Sequence, residues 1–172
     1  MDKLFTVEPI FMNSDFSIRE AVVNDTPQIF SLIEALAEYE QLAHQVTGTV
    51  EQLQSHLFGE KTYAEAIVVE RSNELIGFAL FFANYSTFLT KPGIYLEDLF
   101  VLPEYRRRGI GTAMLSYLGQ LAVSRDAGRL EWSVLDWNES AIAFYQKMGA
   151  TVLPDWRICR VTDKALDTLA EQ

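Results

Sequence analysis

The sequence holds one cysteine, Cys159, among 172 residues. No intramolecular disulfide can form, so a core must hold the fold, as suits a reducing compartment. Cys159 falls in the alternating stretch 156–161 and reads as a small core residue rather than a nucleophile. Histidine is scarce too: His44 and His56 stand apart and have no cysteine partners, so no metal site is expected. Basic residues are the minority, 14 against 24 acidic ones, for a net charge of −10. Nucleic acid and anionic membrane both call for a basic surface and are excluded as main partners. A cationic substrate fits the charge, and so does ordinary solubility. No apolar run approaches the roughly 18 residues of a membrane span. The longest, residues 77–83, has strand length. No basic-then-apolar leader is seen, which makes a cytoplasmic protein the expectation. Internal repeats, low-complexity tracts and interdomain linkers are likewise missing.

What is present suits a folded globule. Apolar residues make up 49% and aromatics 12% of the chain, and the length suits one domain with a substantial core. The pattern predicts an N-terminal arm over residues 1–15 and a single domain over 16–172. Residues 16–21 alternate as a strand. Asn24-Asp25 offers an N-cap, Pro27 stands in the first turn, and a first helix runs to about residue 42. Thr49 and Gln52 form a capping box for a second helix ending at Gly59. Residues 64–70 and 75–84 make a hairpin about Ser72-Asn73, with a loop over 85–93. A strand over 94–101 stops at Pro103, and a helix follows over 111–125. Next come a strand over 130–135, a helix over 138–148 closed by Gly149, a last strand over 156–162 and a short helix capped by Asp163. The order β-α-α-β-β-β-α-β-α-β-α implies an α/β fold. Its mixed, largely antiparallel sheet would have six to seven strands and helices on both faces.

The sharpest local signal is Arg106-Arg107-Arg108-Gly109-Ile110-Gly111-Thr112, between a strand and a helix. Gly109 and Gly111 lack a Cβ, so the backbone there can approach a ligand closely. Free N–H groups and the positive dipole end of the helix form an anion site, and the arginines add charge. The alternative is a glycine-loosened turn with solvated arginines. The dinucleotide fingerprint fails because Met114 replaces its third glycine. A Walker loop fails because no Gly-Lys-Ser/Thr follows.

The pattern Arg106-x-x-Gly109-x-Gly111, after the strand 95–101, closely resembles the acetyl-CoA signature of the GNAT acetyltransferase superfamily. The resemblance covers roughly residues 16 to 165 and includes the stretches 137–140 and 143–150. Within the superfamily the chain looks most like the diamine acetyltransferases, which include spermidine/spermine and thialysine acetyltransferases. The residues carrying that narrower match are Glu34-Ala-Leu-Ala-Glu-Tyr-Glu40, Tyr95-Leu-Glu-Asp98 and Asp136-Trp-Asn-Glu139. The resemblance implies acetyl-CoA as donor, coenzyme A as product, a homodimer, and two central parallel strands that splay. The splay would open a slot between residues 99–101 and 133–135.

Acetyl transfer to an amine requires a deprotonated amine, a polarised thioester carbonyl and a departing thiolate. Only about one primary amine in a thousand is unprotonated at neutral pH, so a base helps. Glu97 is the candidate base, because a carboxylate amid apolar strand residues is costly without a task or a partner. Pairing with a basic side chain is the alternative. Strand alternation puts Asp98 on the opposite face, either to bind a substrate ammonium or as a structural residue. From spacing alone Tyr145 reads as a helix-face core aromatic. The resemblance makes it the acid that protonates the thiolate. It also gives the backbone of Leu99, Phe100 and Val101 to carbonyl polarisation and the pantetheine arm, and the turn 106–112 and Asn138 to the cofactor. Tyr39, Glu40, Glu97, Asp98 and Ser133 go to the amine.

One departure weakens the match to polyamine substrates. The family's acidic loop before the last strand is here a few residues shorter, with Asp155 as its one acid. The reading is therefore an N-acetyltransferase for a small primary amine: a diamine, a polyamine or a lysine-like amino acid. The alternatives are acetylation of a protein lysine or N-terminus, and a non-catalytic acyl-CoA-binding module.

Overall fold

A computed structural model describes residues 10–12 and 15–172. It divides the chain into two compact units, one reaching to Ser133 and the other spanning Val134–Gln172. The first unit carries a six-stranded sheet in chain order. Its strands are β1 (Ile10–Met12), β2 (Phe16–Glu20), β3 (Glu65–Arg71), β4 (Glu74–Ser86), β5 (Lys91–Val101) and β6 (Leu130–Trp132). Every neighbouring pair is antiparallel except β5 and β6, which are parallel. The α/β class and the mixed, largely antiparallel sheet are as expected. The arm expected over residues 1–15 contributes β1, with Ile10 opposite Ile18. Residues 1–9, 13 and 14 lie outside the described residues.

The helices of this unit are α1 (Thr26–Tyr39), α2 (Val50–Phe58) and α3 (Ile110–Ser124). Ile29 and Leu32 of α1 and Leu57 of α2 are buried with Ala66, Val68, Phe78 and Phe100 on one face of the sheet. Register and alternation turn Ile18, Ile67, Val69 and Ala79 to the other face, where all are fully buried. There α3 packs on β5 and β6 and buries Met114, Tyr117, Leu118 and Leu121. Burying each large side chain contributes roughly 1.5–3 kcal/mol.

Local chemistry explains most boundaries. Thr49 caps α2 through the reciprocal bonds expected with Gln52, at 3.3 and 3.0 Å. Ser72 and Asn73 both have positive φ, the backbone of a two-residue hairpin turn that follows sheet twist. Asp25 does not cap α1 with its side chain. Its carboxylate instead accepts from the Arg19 guanidinium at 2.6 and 3.0 Å and from the Val22 N–H. Those bonds outweigh burial and hold the Asp25 carboxyl below the usual range, although burial is the largest single influence.

Several boundaries differ from expectation. The expected loop 85–93 shrinks to residues 87–90, because Tyr85 pairs with Pro92 and Ser86 with Lys91. The Pro92 carbonyl accepts from the Gly128 N–H, so the strand tolerates its missing donor. The strand expected over 130–135 ends at Trp132.

The second unit contains α4 (Glu139–Lys147) and α5 (Asp163–Ala170). Asn138 is the N-cap of α4, and Gly149 has the left-handed backbone of a C′ glycine. Asp163 is the first residue of α5 rather than its cap. The strand expected over 156–162 does not form. Its two alternating faces are both exposed, so neither has the half-buried sheet environment that a strand needs. Cys159 is accordingly exposed rather than a core residue.

Candidate active site

Residues of the first unit that converge on a site come from the end of α1, the middle of β5 and the start of α3. On β5 the register shifts: Leu80 of β4 faces Asp98, but the next residue, Phe81, faces Leu96. Glu97 is therefore the extra residue of a β-bulge. The bulge interrupts the alternation that would set Glu97 and Asp98 on opposite faces. Asp98 shares the register face of Leu80, Phe78 and Phe100, which is the α1 side of the sheet. Glu97 is exposed and Asp98 is half-buried.

Charge follows from this placement. Burial first, then the nearby Glu97 and Glu40 carboxylates, push the Asp98 carboxyl up to about 6. Glu40, half-buried directly after α1, is raised by burial. No arginine or lysine figures among the causes of either shift. The Glu40 and Glu97 carboxylates thus both disfavour the charged form of Asp98, a setting that favours an added positive charge.

The end of α1 is held firmly. Leu42 donates to the Ala37 carbonyl at 2.7 Å and Gln41 to Glu38 at 3.0 Å. This is the bonding of a Schellman motif, with Gln41 at φ 62° in the position glycine prefers. Tyr39 is 40% exposed, and the Arg106 guanidinium lies 4.4 Å from its ring centroid.

At the other side of the site, β5 runs beyond its parallel partner. Only Ile94, Tyr95 and Leu96 pair with β6. From Glu97 to Val101 that edge of β5 has no strand partner among the described residues. No strand therefore pairs with Leu99, Phe100 or Val101 on that edge, although the Val101 carbonyl accepts from Arg106. Ser133 follows β6, and its hydroxyl lies 2.8 Å from that of Tyr95.

The turn into α3 is shaped by left-handed backbone. Arg107 at φ 60° and Gly109 at φ 83° both take left-handed backbone. Gly109 is the N-cap and no side chain caps the helix. The first intrahelical bond runs from Ala113 to Gly109, so the N–H groups of Ile110, Gly111 and Thr112 are left to a ligand. The three arginines diverge. Arg107 is exposed. Arg108 donates to the Glu104 carbonyl at 3.2 Å. Arg106 turns back, donating from Nε to the Val101 carbonyl at 2.8 Å and stacking on Tyr39 and Phe100.

Asn138 and Tyr145 belong to the second unit. The Asn138 Oδ1 accepts from the Ala141 N–H at 3.2 Å and from the Ser140 hydroxyl at 3.1 Å. Tyr145 is half-buried on α4, its ring centroid 5.3 Å from that of Phe144. Among the described residues no cluster suits a metal ion, and no helix is long and apolar enough to cross a membrane.

Sequence reasoning missed the bulge, the effect of Glu40 on Asp98, and the Arg106–Tyr39 stack. The bulge had a signal: adjacent carboxylates inside an apolar strand fit no period of two. The stack had none, since its residues lie far apart in the chain.

Residues 29–150 match the model of the acetyltransferase (GNAT) family. The chain is 33% identical to an L-ornithine N5-acetyltransferase of Arabidopsis thaliana, over 88% of this chain and 86% of the relative. It is 34% identical to a thialysine N-epsilon-acetyltransferase of Mus musculus, over 89% of this chain and 96% of the relative. Among solved structures it resembles an integron cassette protein from the mobile metagenome of V. cholerae. The TM-score is 0.78 at 21% identity, covering 93% of this chain and all of the other. An aminoglycoside acetyltransferase from an uncultured soil sample gives a TM-score of 0.74 at 18% identity, over 88% and 99%.

Proposed function

We propose, from the premise that the chain belongs to the GNAT acetyltransferase family, that it transfers an acetyl group from acetyl-CoA to a primary amine of a small molecule. The observation that carries the amine is the carboxylate cluster of Glu40, Glu97 and Asp98, with Asp98 raised to about 6. An ammonium group entering there offsets the repulsion and enters as the charged form abundant at neutral pH. The names of the ornithine and thialysine acetyltransferases support an amino acid with a side-chain amine. The short loop 151–155 supports a compact acceptor over a long polyamine.

Acetyl-CoA supplies the acetyl group on an activated thioester. The features of the turn and of β5 fit such a ligand. Uncapped N–H groups of Ile110, Gly111 and Thr112 and the exposed Arg107 and Arg108 suit a diphosphate. The unpartnered edge at Leu99, Phe100 and Val101 suits the amides of the pantetheine arm, and the Leu99 N–H is assigned to the carbonyl oxygen. Glu97 receives the proton from the amine, directly or through water. Tyr145 donates a proton to the departing thiolate, and Asn138 contacts the cofactor; both roles rest on the family resemblance. Ser133 and Tyr39 help line the amine pocket. A homodimer and a cytoplasmic location belong to the same reading.

Thiol release from acetyl-CoA, measured against L-ornithine, thialysine, spermidine and a lysine-bearing peptide, tests the proposal. The amino acids are expected to turn over fastest. Peptide turnover alone points to protein acetylation, and tight cofactor binding without turnover points to a silent binding module.

A further inference from the structure

Arg106 stands first in the glycine-containing turn, yet its charged group is directed toward the amine side. Three contacts fix it there. Its Nε donates to the carbonyl of Val101, the last residue of β5, at 2.8 Å. Its guanidinium lies 4.4 Å from the Tyr39 ring centroid and 5.4 Å from that of Phe100. Phe100 is 3% exposed and belongs to the core beneath α1. Tyr39 is the last residue of α1, and the next residue is Glu40, whose charge acts on Asp98. One side chain therefore joins the turn, the end of β5 and the end of α1.

We propose that Arg106 is a positioning residue for the amine pocket, acting through Tyr39 to hold the end of α1, and with it Glu40, in place. Its two exposed neighbours, Arg107 and Arg108, face a different task at the turn. The physical basis is the guanidinium itself. It is planar, keeps its charge at any working pH, and can donate from Nε while its face covers an aromatic ring. A glutamine can donate a hydrogen bond but has no cation to place over the ring. Losing the stack frees the Tyr39 ring, which is already 40% exposed, and loosens Glu40 beside it. The consequence falls on amine recognition more than on the donor. This inference rests on the acetyltransferase reading above.

The test combines calorimetric binding of coenzyme A with initial rates, using whichever of L-ornithine or thialysine the wild type acetylates faster. Arg106→Gln is expected to raise the amine KM about tenfold, the scale of one desolvated cation–aromatic contact. The coenzyme A Kd stays within about twofold, since the turn amides are untouched. Tyr39→Leu has the same effect, and the double variant Arg106→Gln/Tyr39→Leu is no worse than either single one. The inference is overturned if Arg106→Gln weakens coenzyme A at least as much as it raises the amine KM, or if the two penalties multiply. Should Arg106→Gln fail to fold, Tyr39→Leu decides alone, and an unchanged amine KM overturns the inference. A wild type that binds coenzyme A but acetylates no amine defeats the underlying reading instead, and the inference with it.

Discussion

At the scale of single residues, the site turns on carboxylates held near one another. Asp98 titrates near 6 because burial and two like charges disfavour its ionised form. If its carboxylate holds the incoming ammonium, kcat/KM falls as pH drops through about 6, and Asp98→Asn removes that acid limb along with most of the amine affinity. Stability moves the other way. The folded pKa lies above the ordinary 3.8, so the native state holds its proton more tightly than the unfolded chain does. The contribution of Asp98 to native stability is thus fully present below the unfolded pKa and is lost as pH rises through 6. Asp98→Asn is expected to stabilise the protein at pH 8 by on the order of 1–2 kcal/mol, after allowance for solvent screening. The gain disappears near pH 4, and melting curves at the two pH values check it. Glu97→Gln, by contrast, shifts the rate maximum to higher pH, since more of the amine must then arrive already deprotonated. At the turn, Arg107→Ala or Arg108→Ala raises the KM for acetyl-CoA severalfold and leaves that for the amine nearly unchanged.

At the scale of elements, the α1 terminus shows how local strain fixes a functional side chain. Gln41 occupies left-handed backbone in a Schellman motif, directly after Glu40. Gln41→Gly relieves the steric cost there. It is expected to raise stability by about 0.5–1 kcal/mol, read as a rise in Tm, with the amine KM unaltered. The same motif explains why α1 stops at Tyr39 although helical spacing runs on to Leu42. Elements with chemical punctuation were legible in advance: the Thr49–Gln52 box, the Ser72-Asn73 turn and Gly149 all behave as their residue types dictate. Elements that depend on distant partners were not. Tyr85 and Pro92 read as loop residues until their pairing across the hairpin is known. Glu97 and Asp98 read as alternating until the bulge reassigns their faces. The stretch 156–162 alternates as a strand does, but a period of two supplies no partner edge.

At the scale of the whole molecule, the site of the first unit is assembled from segments some sixty residues apart, Tyr39 and Glu40 against residues 97 to 112. Their types were visible in the sequence, and their order matched a known family. What could not be read was that Glu40 acts on Asp98, or that Arg106 stacks on Tyr39, because both depend on where the sheet sets the end of α1. The net charge of −10 is general, but its placement is not: Glu40 and Glu97 both bear on Asp98. The central claim is that this acidic site delivers an amine to an acetyl donor. The most direct measurement is the mass balance of a reaction holding only the protein, acetyl-CoA and L-ornithine or thialysine. Side-chain-acetylated amine and coenzyme A are expected in equal amounts, formed faster than without protein. Coenzyme A released with no acetylated amine, or no release above background with any small amine, would contradict that claim.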